Sequence, residues 1–504
     1  MTPQPDSPLV LGLDSSTTGS KALITDMDGK VFALGKATYD ILQPAPDHYE
    51  QDARDWGHAA FSAIADAVAQ LEPQDRRRLA ACCITPQRQT FVVCDDDGTP
   101  RRNAILWLDG RASDEVRRIG STRVHQISGF EPDVTPSIYK IAWLAHHESE
   151  LLRSAQRVVG VHSWLVHKLT GQWVDSVATA DSLGICDLAR LEWSDELLEL
   201  SGLRRQQLPD LAAAASVVGT MLPDVASSLG LAGPIPVVAG CGDGQAAALG
   251  AGVTEADEGY LNMGTAVVAG VHSSQYRWSQ VYRTDVAGIP GSYVLEVVQN
   301  SGAHLAQWFR TALGDPALHG APDPELEQAA AQVRPGADGL LTLPYWNAVQ
   351  SPHWDPLARG AMVGFTGSHS RPAMYRSLLE GICLETGRNL AALDAETGTP
   401  MRKLRIMGGG QRSDLWCRIM AACVARPLER CMSEEISALG AAVMAASAVA
   451  ERSVPEMSRQ MAEPGDTIEP QPELVEEYAS IADVQGELYH ALSGVFPRLE
   501  ALRQ

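Results

Sequence analysis

One pattern occurs twice in this 504-residue chain, and it narrows the possible folds sharply. A short apolar run with little alternation meets a polar, threonine-bearing turn and returns as a second apolar run. The first copy is Leu9 to Leu13, the turn Asp14-Ser-Ser-Thr-Thr-Gly-Ser-Lys21, and Ala22 to Thr25; the turn Asp26-Met-Asp-Gly29 then leads into Val31–Leu34. The second copy is Tyr260-Leu-Asn-Met-Gly-Thr-Ala-Val-Val-Ala-Gly270. Apolar runs bounded by turn residues read as buried strands, and strands joined by tight turns read as hairpins. Beyond each copy, strand and helix patterns alternate, with a helix expected over 53–71 and a strand over 78–84. That alternation predicts layered α/β structure rather than a barrel of hairpins. Two similarly planned units are expected, 1–252 and 253–504, divided near the polar run Gly252-Val-Thr-Glu-Ala-Asp-Glu-Gly259. Residues 464–472 read as a linker. Leu474, Tyr478, Ile481, Leu488 and Leu492 recur at helical spacing, as the core face of a terminal helix does.

Chemistry-bearing residues gather where strands end. The strand Pro236–Ala239 runs into Gly240-Cys-Gly-Asp-Gly-Gln245, which displays one carboxylate, Asp243, at the start of a small-residue helix. Glycines there admit a ligand close to the main chain, and an acid beside a helix N-terminus suits a general base working next to phosphate. In the first hairpin turn the hydroxyls, amides and Lys21 suit phosphate oxygens, while Asp14 suits a hydrated Mg²⁺. The chain has no Walker-type phosphate loop. Leu404-Arg-Ile-Met-Gly-Gly-Gly-Gln-Arg-Ser-Asp-Leu-Trp416 puts Gly408, Gly409 and Gly410 between a strand and a helix capped near Ser413 or Asp414.

Bulk properties fit a large enzyme. Acidic residues outnumber basic ones, 62 to 40, which argues against a nucleic-acid or membrane-surface partner. The nine cysteines include no Cys-x-x-Cys pair and suggest reduced thiols in the cytoplasm. The N-terminus carries no hydrophobic signal core, and no apolar run is long enough to span a bilayer. A homodimer is compatible with the sequence.

Taken in order, Asp14–Lys21, Trp107-Leu-Asp-Gly-Arg111, Gly240–Gln245, Gly264-Thr265, Gly364-Phe-Thr366, Gly408-Gly-Gly410 and Ser437-Ala-Leu-Gly-Ala-Ala442 resemble the FGGY carbohydrate kinases, a family that includes xylulokinase, glycerol kinase, ribulokinase and gluconate kinase. The resemblance implies two actin-like ATPase (ribonuclease H-like) domains flanking a deep cleft, with ATP and Mg²⁺ as cofactors and a small sugar or polyol as acceptor. It makes Asp243 the base and, with Asp14, a metal ligand. Ser16, Thr17, Thr18, Lys21, Gly264 and Thr265 would face phosphates, and Gly408–Gly410 with Ser413 would border adenosine. Arg88, Gln89, Trp107, Asp109 and Gln245 would meet the acceptor.

Departures from the family pattern fall mainly on the acceptor side. Thr85-Pro-Gln-Arg-Gln-Thr90 stands where xylulokinases carry Gln-Met-His-Gly and glycerol kinases Asn-Gln-Arg-Glu-Thr. Ser16 replaces the usual Gly of the first turn. Leu343-Pro-Tyr-Trp-Asn-Ala-Val-Gln-Ser-Pro-His-Trp-Asp355 replaces the common Pro-Tyr-x-x-Gly-Glu-Arg-x-Pro. The expected activity is phosphorylation of a pentulose or related polyol, with D-xylulose first. A non-catalytic sugar sensor would not need Asp243. An actin-like ATPase would not need Arg88, Trp107 and Asp109.

Overall fold

The computed structural model describes residues 7–502. The first repeat forms a three-strand antiparallel meander, β1 (Leu9–Ser16), β2 (Gly19–Asp26) and β3 (Val31–Thr38). α1 (Ala53–Ala69) packs an alanine-rich face on β2 and β3, and the Asp52 side chain caps it by accepting from the Arg54 N–H. β4 (Leu79–Pro86) runs parallel to β1. β5 (Val217–Thr220) and β6 (Pro236–Val238) complete the order β5-β6-β4-β1-β2-β3. Beyond β6 the glycine loop enters α2 (Asp243–Gly250).

The second large sheet repeats this plan. It contains β7 (Glu258–Met263), β8 (Val267–Ser273), β9 (Arg283–Val286) and β10 (Tyr293–Gln299). After the helices α3 (Ala303–Leu313) and α4 (Arg371–Thr397) come β11 (Lys403–Met407), α5 (Asp414–Val424) and β12 (Leu428–Cys431). The run β10-β8-β7-β11-β12 matches β3-β2-β1-β4-β6 pairing for pairing, two antiparallel and then two parallel. Both threonine-bearing turns therefore occupy the same point of the plan, between the first and second strands of each sheet.

The chain then crosses back. α6 (Ile436–Ala450) and α7 (Val454–Met461) share one core with Val10 and Leu23 of the first sheet. A side chain built on Gly12 would meet the Ala438 carbonyl oxygen at 1.9 Å, and one on Gly440 would meet that of Ala246 at 1.8 Å. The small residues of the Ser437–Ala442 run thus let α6 lie directly on β1 and α2. Strands divide cleanly around residue 252, whereas this later helix closes the first unit's core.

Near the C-terminus one sequence reading changes and one holds. Residues 464–468, read as linker, form an edge strand, β13, antiparallel to β12; proline is tolerated as its first residue because an edge strand leaves one side unpaired. In α8 (Pro472–Leu492) Tyr478 is fully buried, while Leu474, Ile481, Leu488 and Leu492 are only partly covered by the second unit.

Gly440→Val is expected to destabilise the protein by more than about 3 kcal/mol, since a backbone oxygen cannot move aside as a side chain can. Gly409→Ala, where nothing lies within 4 Å, should change stability by less than about 0.5 kcal/mol. Chemical denaturation of both variants checks the contrast.

Candidate active site

Asp243 is the first residue of α2, and three neighbours fix the loop before it. The Gly240 N–H donates to His162 Nε2 at 3.2 Å, and the other ring nitrogen, Nδ1, bonds Asp175 at 2.8 Å. Ser437 Oγ donates to the Asp243 carbonyl at 3.1 Å. The space that side chains at Gly240 and Gly242 would take is filled by the Ile84 carbonyl and Arg88. The protein uses that room, which sequence reasoning assigned to a ligand.

Asp14, two residues before the end of β1, is a buried carboxylate close enough to Asp243 to be raised by its charge. Burial, then Asp243, lifts the Asp14 carboxyl to about 7, against the opposing pull of Lys21. Burial also raises Asp243, with Arg88 acting in the other direction. Asp14 Oδ1 is buried without a hydrogen-bond partner among the described residues, and Asp243 Oδ1 accepts from the Gly244 N–H at 2.9 Å. Two repelling carboxylates with an orphaned oxygen fit a hard divalent cation such as Mg²⁺. No group of three or more His, Cys, Asp or Glu that could hold a metal occurs among the described residues. Water and phosphate oxygens would therefore supply most of its ligands.

Lys21 lies 2.6 Å from Glu435, immediately before α6, and Lys36 pairs with the same carboxylate. Burial pushes Glu435 up, but the two lysines outweigh it and hold the group below its usual range. Glu435 escaped sequence reasoning because only the return of α6 to the first sheet brings it to the first turn.

The phosphate-facing candidates fall in two groups. Thr18 is exposed and Thr17 half-buried. Thr17 Oγ1 accepts from Trp107 Nε1 at 3.0 Å, and Ser16 Oγ donates to the Gly19 carbonyl at 3.0 Å. In the second unit the turn is held against α3: the Ala303 N–H donates to the Gly264 carbonyl at 2.7 Å and the Gly302 N–H to that of Thr265 at 3.0 Å. Gly408, with φ of 84°, abuts this turn, since a side chain there would meet Asn262 Oδ1 at 2.5 Å and the Gly264 nitrogen at 2.9 Å. Gly409 faces open space. Gly410 is buried. Ser413 caps α5 by accepting from the Trp416 N–H at 3.0 Å, and also bonds Glu327.

On the acceptor side two of the expected residues are engaged by protein partners. Asp109 is fully buried, and its oxygens accept from the Tyr49 N–H at 2.7 Å and from Arg111 at 2.7 and 2.8 Å. It ties the segment at Tyr49 to Arg111. Arg88 is buried as well: Nη2 meets Asp181 at 3.0 Å and Asp285 at 2.7 Å, while Nη1 donates to the Ala178 carbonyl and Gln245 Oε1. Asp285 lies on β9, so Arg88 clamps the two units together, and its terminal nitrogens are committed to protein. Gln245 is buried beside it with Nε2 unpartnered. Trp107, by contrast, is 37% exposed and no core residue. Gln89 has a left-handed backbone, φ 56°, and lines a small cavity with Asp133, Thr135, Arg283, Gln350 and Trp354.

Lys140, which the sequence signalled only weakly as a lysine inside the apolar run Ile138–Ala142, braces the loops around this cavity. It is fully buried, and its ammonium donates to the carbonyls of Thr135 at 2.7 Å, Leu106 at 3.1 Å and Gln89 at 3.4 Å. Burial lowers it to about 7. One side chain thereby holds the backbone at Gln89, before Trp107, and at Thr135.

This arrangement of neighbouring carboxylates, duplicated threonine-bearing turns and a polar cavity agrees with what the chain is similar to. Residues 9–250 match the N-terminal domain, and residues 259–449 the C-terminal domain, of the FGGY family of carbohydrate kinases. The chain belongs to that family and is an ATP-dependent sugar or polyol kinase. It is 29% identical to the xylulose kinase of Escherichia coli over 87% of this chain and 89% of that one. To the glycerol kinase of Thermococcus onnurineus it is 30% identical, again over 87% and 89%. Its fold matches the crystal structure of a ligand-bound xylulose kinase from Lactobacillus acidophilus with a TM-score of 0.90 at 24% identity, over 98% of this chain and 100% of that one. No helix among the described residues is long and apolar enough to cross a membrane, and all nine cysteines are free.

Arg88→Met should cost about 3–5 kcal/mol, because it strands buried acids without their cation. The deficit should widen above pH 6. Burial, opposed by Arg88, lifts Asp181 to about 6, so the folded state holds a proton that the unfolded state releases near pH 4. Stability therefore falls as pH rises between those values. Without Arg88 the fall continues to higher pH. Urea titrations at pH 5, 6 and 8 test this.

Proposed function

We propose that the chain transfers the terminal phosphoryl group of ATP to a hydroxyl of a five-carbon ketose or related polyol in the cytoplasm, D-xylulose giving xylulose 5-phosphate being the first candidate. The observation that carries this reading is the pairing of Asp243 with Asp14 beside the first hairpin turn. The xylulose kinase relative points to the substrate, and the glycerol kinase relative keeps glycerol, ribulose and alditols as the second choice. The run Leu106-Trp-Leu-Asp-Gly-Arg111 leans toward the ketose, whereas Gln87-Arg-Gln-Thr90 leans toward glycerol or a longer alditol.

A sugar hydroxyl is a poor nucleophile at neutral pH, so its proton must leave as the bond to phosphorus forms. Asp243 accepts it, and a carboxylate whose affinity for protons is raised by burial is the stronger base. Asp14 and Asp243 would hold Mg²⁺, which when bound neutralises phosphate charge and orients the transferred group. Ser16, Thr17 and Thr18 from one unit and Gly264 and Thr265 from the other grip phosphate oxygens. Gly408, Gly409, Gly410 and Ser413 border adenosine. Lys21, shared with Glu435, swings between that carboxylate and the nucleotide. Gln89 and Trp107 face the acceptor, and Lys140 keeps their backbones in place. Approach of the two units excludes water, which would otherwise compete as acceptor.

Asp243→Asn is expected to retain ATP and acceptor binding yet lose roughly 10²–10⁴-fold in turnover, the usual contribution of a positioned base. ADP release is followed for both proteins with D-xylulose, D-ribulose, xylitol and glycerol. Near-normal turnover of the variant removes Asp243 from the role. ADP release indifferent to every acceptor would make the chain an ATPase.

A further inference from the structure

The segment where the sequence leaves its family's pattern, Leu343–Asp355, forms one wall of the small cavity that Gln89 lines. Val349 and Asp355 pair through their backbones and close a loop. Ala348 (φ 62°) and Trp354 (φ 49°) both adopt left-handed backbone, a conformation that residues with side chains take up only when the surroundings impose it. Ser351 Oγ accepts from the Val298 N–H at 3.3 Å, and Trp354 Nε1 donates to the Gln280 carbonyl at 2.6 Å. The loop so fixed presents Gln350 and Trp354 to the cavity that Gln89, Asp133 and Thr135 line from the first unit.

Gln350 reaches across: its Nε2 donates to Asp133 Oδ2 at 3.1 Å. Its Oε1 is buried without a partner. A buried amide oxygen lacking a donor loses water and gains nothing in return, so it calls for a ligand that brings an N–H or O–H. The charges around it say which kind. Asp133 forms no salt bridge among the described residues, and Glu131 beside it is met by His125, at 2.6 Å. The cation of the wall, Arg283, is already bound to Glu296 and lies 3.5 Å from Asp285. A further carboxylate would enter a wall whose acids exceed its uncommitted cations, whereas neutral hydroxyls find acceptors at Asp133 and Gln350.

We propose that Gln350 is a specificity-determining residue, whose Oε1 accepts a hydroxyl of a neutral polyhydroxy acceptor in a pocket closed across the two units by its hydrogen bond to Asp133. This rests on the proposed kinase activity. Gln350 then selects ketoses and alditols over sugar acids.

The test is steady-state kinetics of the full-length wild type, Gln350→Met and Gln350→Glu with D-xylulose, xylitol and D-gluconate, with thermal unfolding to show that each variant folds. Gln350→Met is expected to raise the KM of the preferred neutral acceptor about five- to tenfold, the size of one lost hydrogen bond, with the KM of ATP unchanged. Gln350→Glu should raise it further by facing Asp133 with a second carboxylate. Unchanged acceptor KM in both variants overturns the proposal while leaving the kinase reading intact. Wild-type preference for gluconate overturns it without any variant. Failure of the wild type to phosphorylate any acceptor overturns both.

Discussion

Everything at the centre of this molecule depends on two carboxylates being held where they repel. Asp14 and Asp243 arrive from the ends of different strands of one sheet, and neither could stay without a backbone that leaves it no alternative. α6 supplies much of that constraint. It lies on β1 at Gly12 and against α2 at Gly440, and its Ser437 ties the Asp243 carbonyl. His162, itself oriented by Asp175, holds the other end of the loop at Gly240. Burial then makes both acids reluctant to ionise, and for Asp14 the Asp243 charge adds to it. That is unfavourable for the empty protein and favourable for a site that must take up a divalent cation and a polyanion.

The acceptor side uses buried charge differently. Arg88, Asp181, Asp285, Arg283 and Glu296 form a chain of ion pairs that runs between the two sheets. Buried pairs of this kind add little net stability but are expensive to break, so they fix how the acceptor wall of one unit meets the other. Lys140 does the same for three loops of the first unit through carbonyls alone. The phosphate turns, in contrast, are exposed at Thr18 and Thr265. The fold thus combines a stiff wall around the cavity at Gln89 with open threonine-bearing turns, as the proposed acceptor and phosphate roles require.

Much of this was legible in the residues because it is local. Buried strands announce themselves as apolar runs, and Asp14, Asp243 and the glycines stand at strand ends where turn chemistry marks them. The duplicated plan was visible only as two similar hairpins, since strand order depends on pairing that no short window encodes. What the sequence concealed is long-range. Asp109 looks like an acceptor ligand, yet a neighbouring arginine two residues on and a distant N–H at Tyr49 consume it. Arg88 looks like a sugar ligand until Asp181 and Asp285, far along the chain, reach it. Glu435 and Gln350 have no motif of their own, and tertiary proximity alone gives them a role. Residues 464–468 read as linker because Pro464 and Gly465 mask an edge strand with little apolar character.

The central claim is that Asp14 and Asp243 form an electrostatically frustrated pair that a divalent cation relieves. Thermal unfolding of wild type and Asp14→Asn, with and without Mg²⁺·ADP, tests it most directly. The account predicts that the variant unfolds at a higher temperature than wild type in the absence of ligand, and gains less than wild type when Mg²⁺·ADP is added. A variant less stable than wild type without ligand, or one that gains as much from Mg²⁺·ADP, would contradict it.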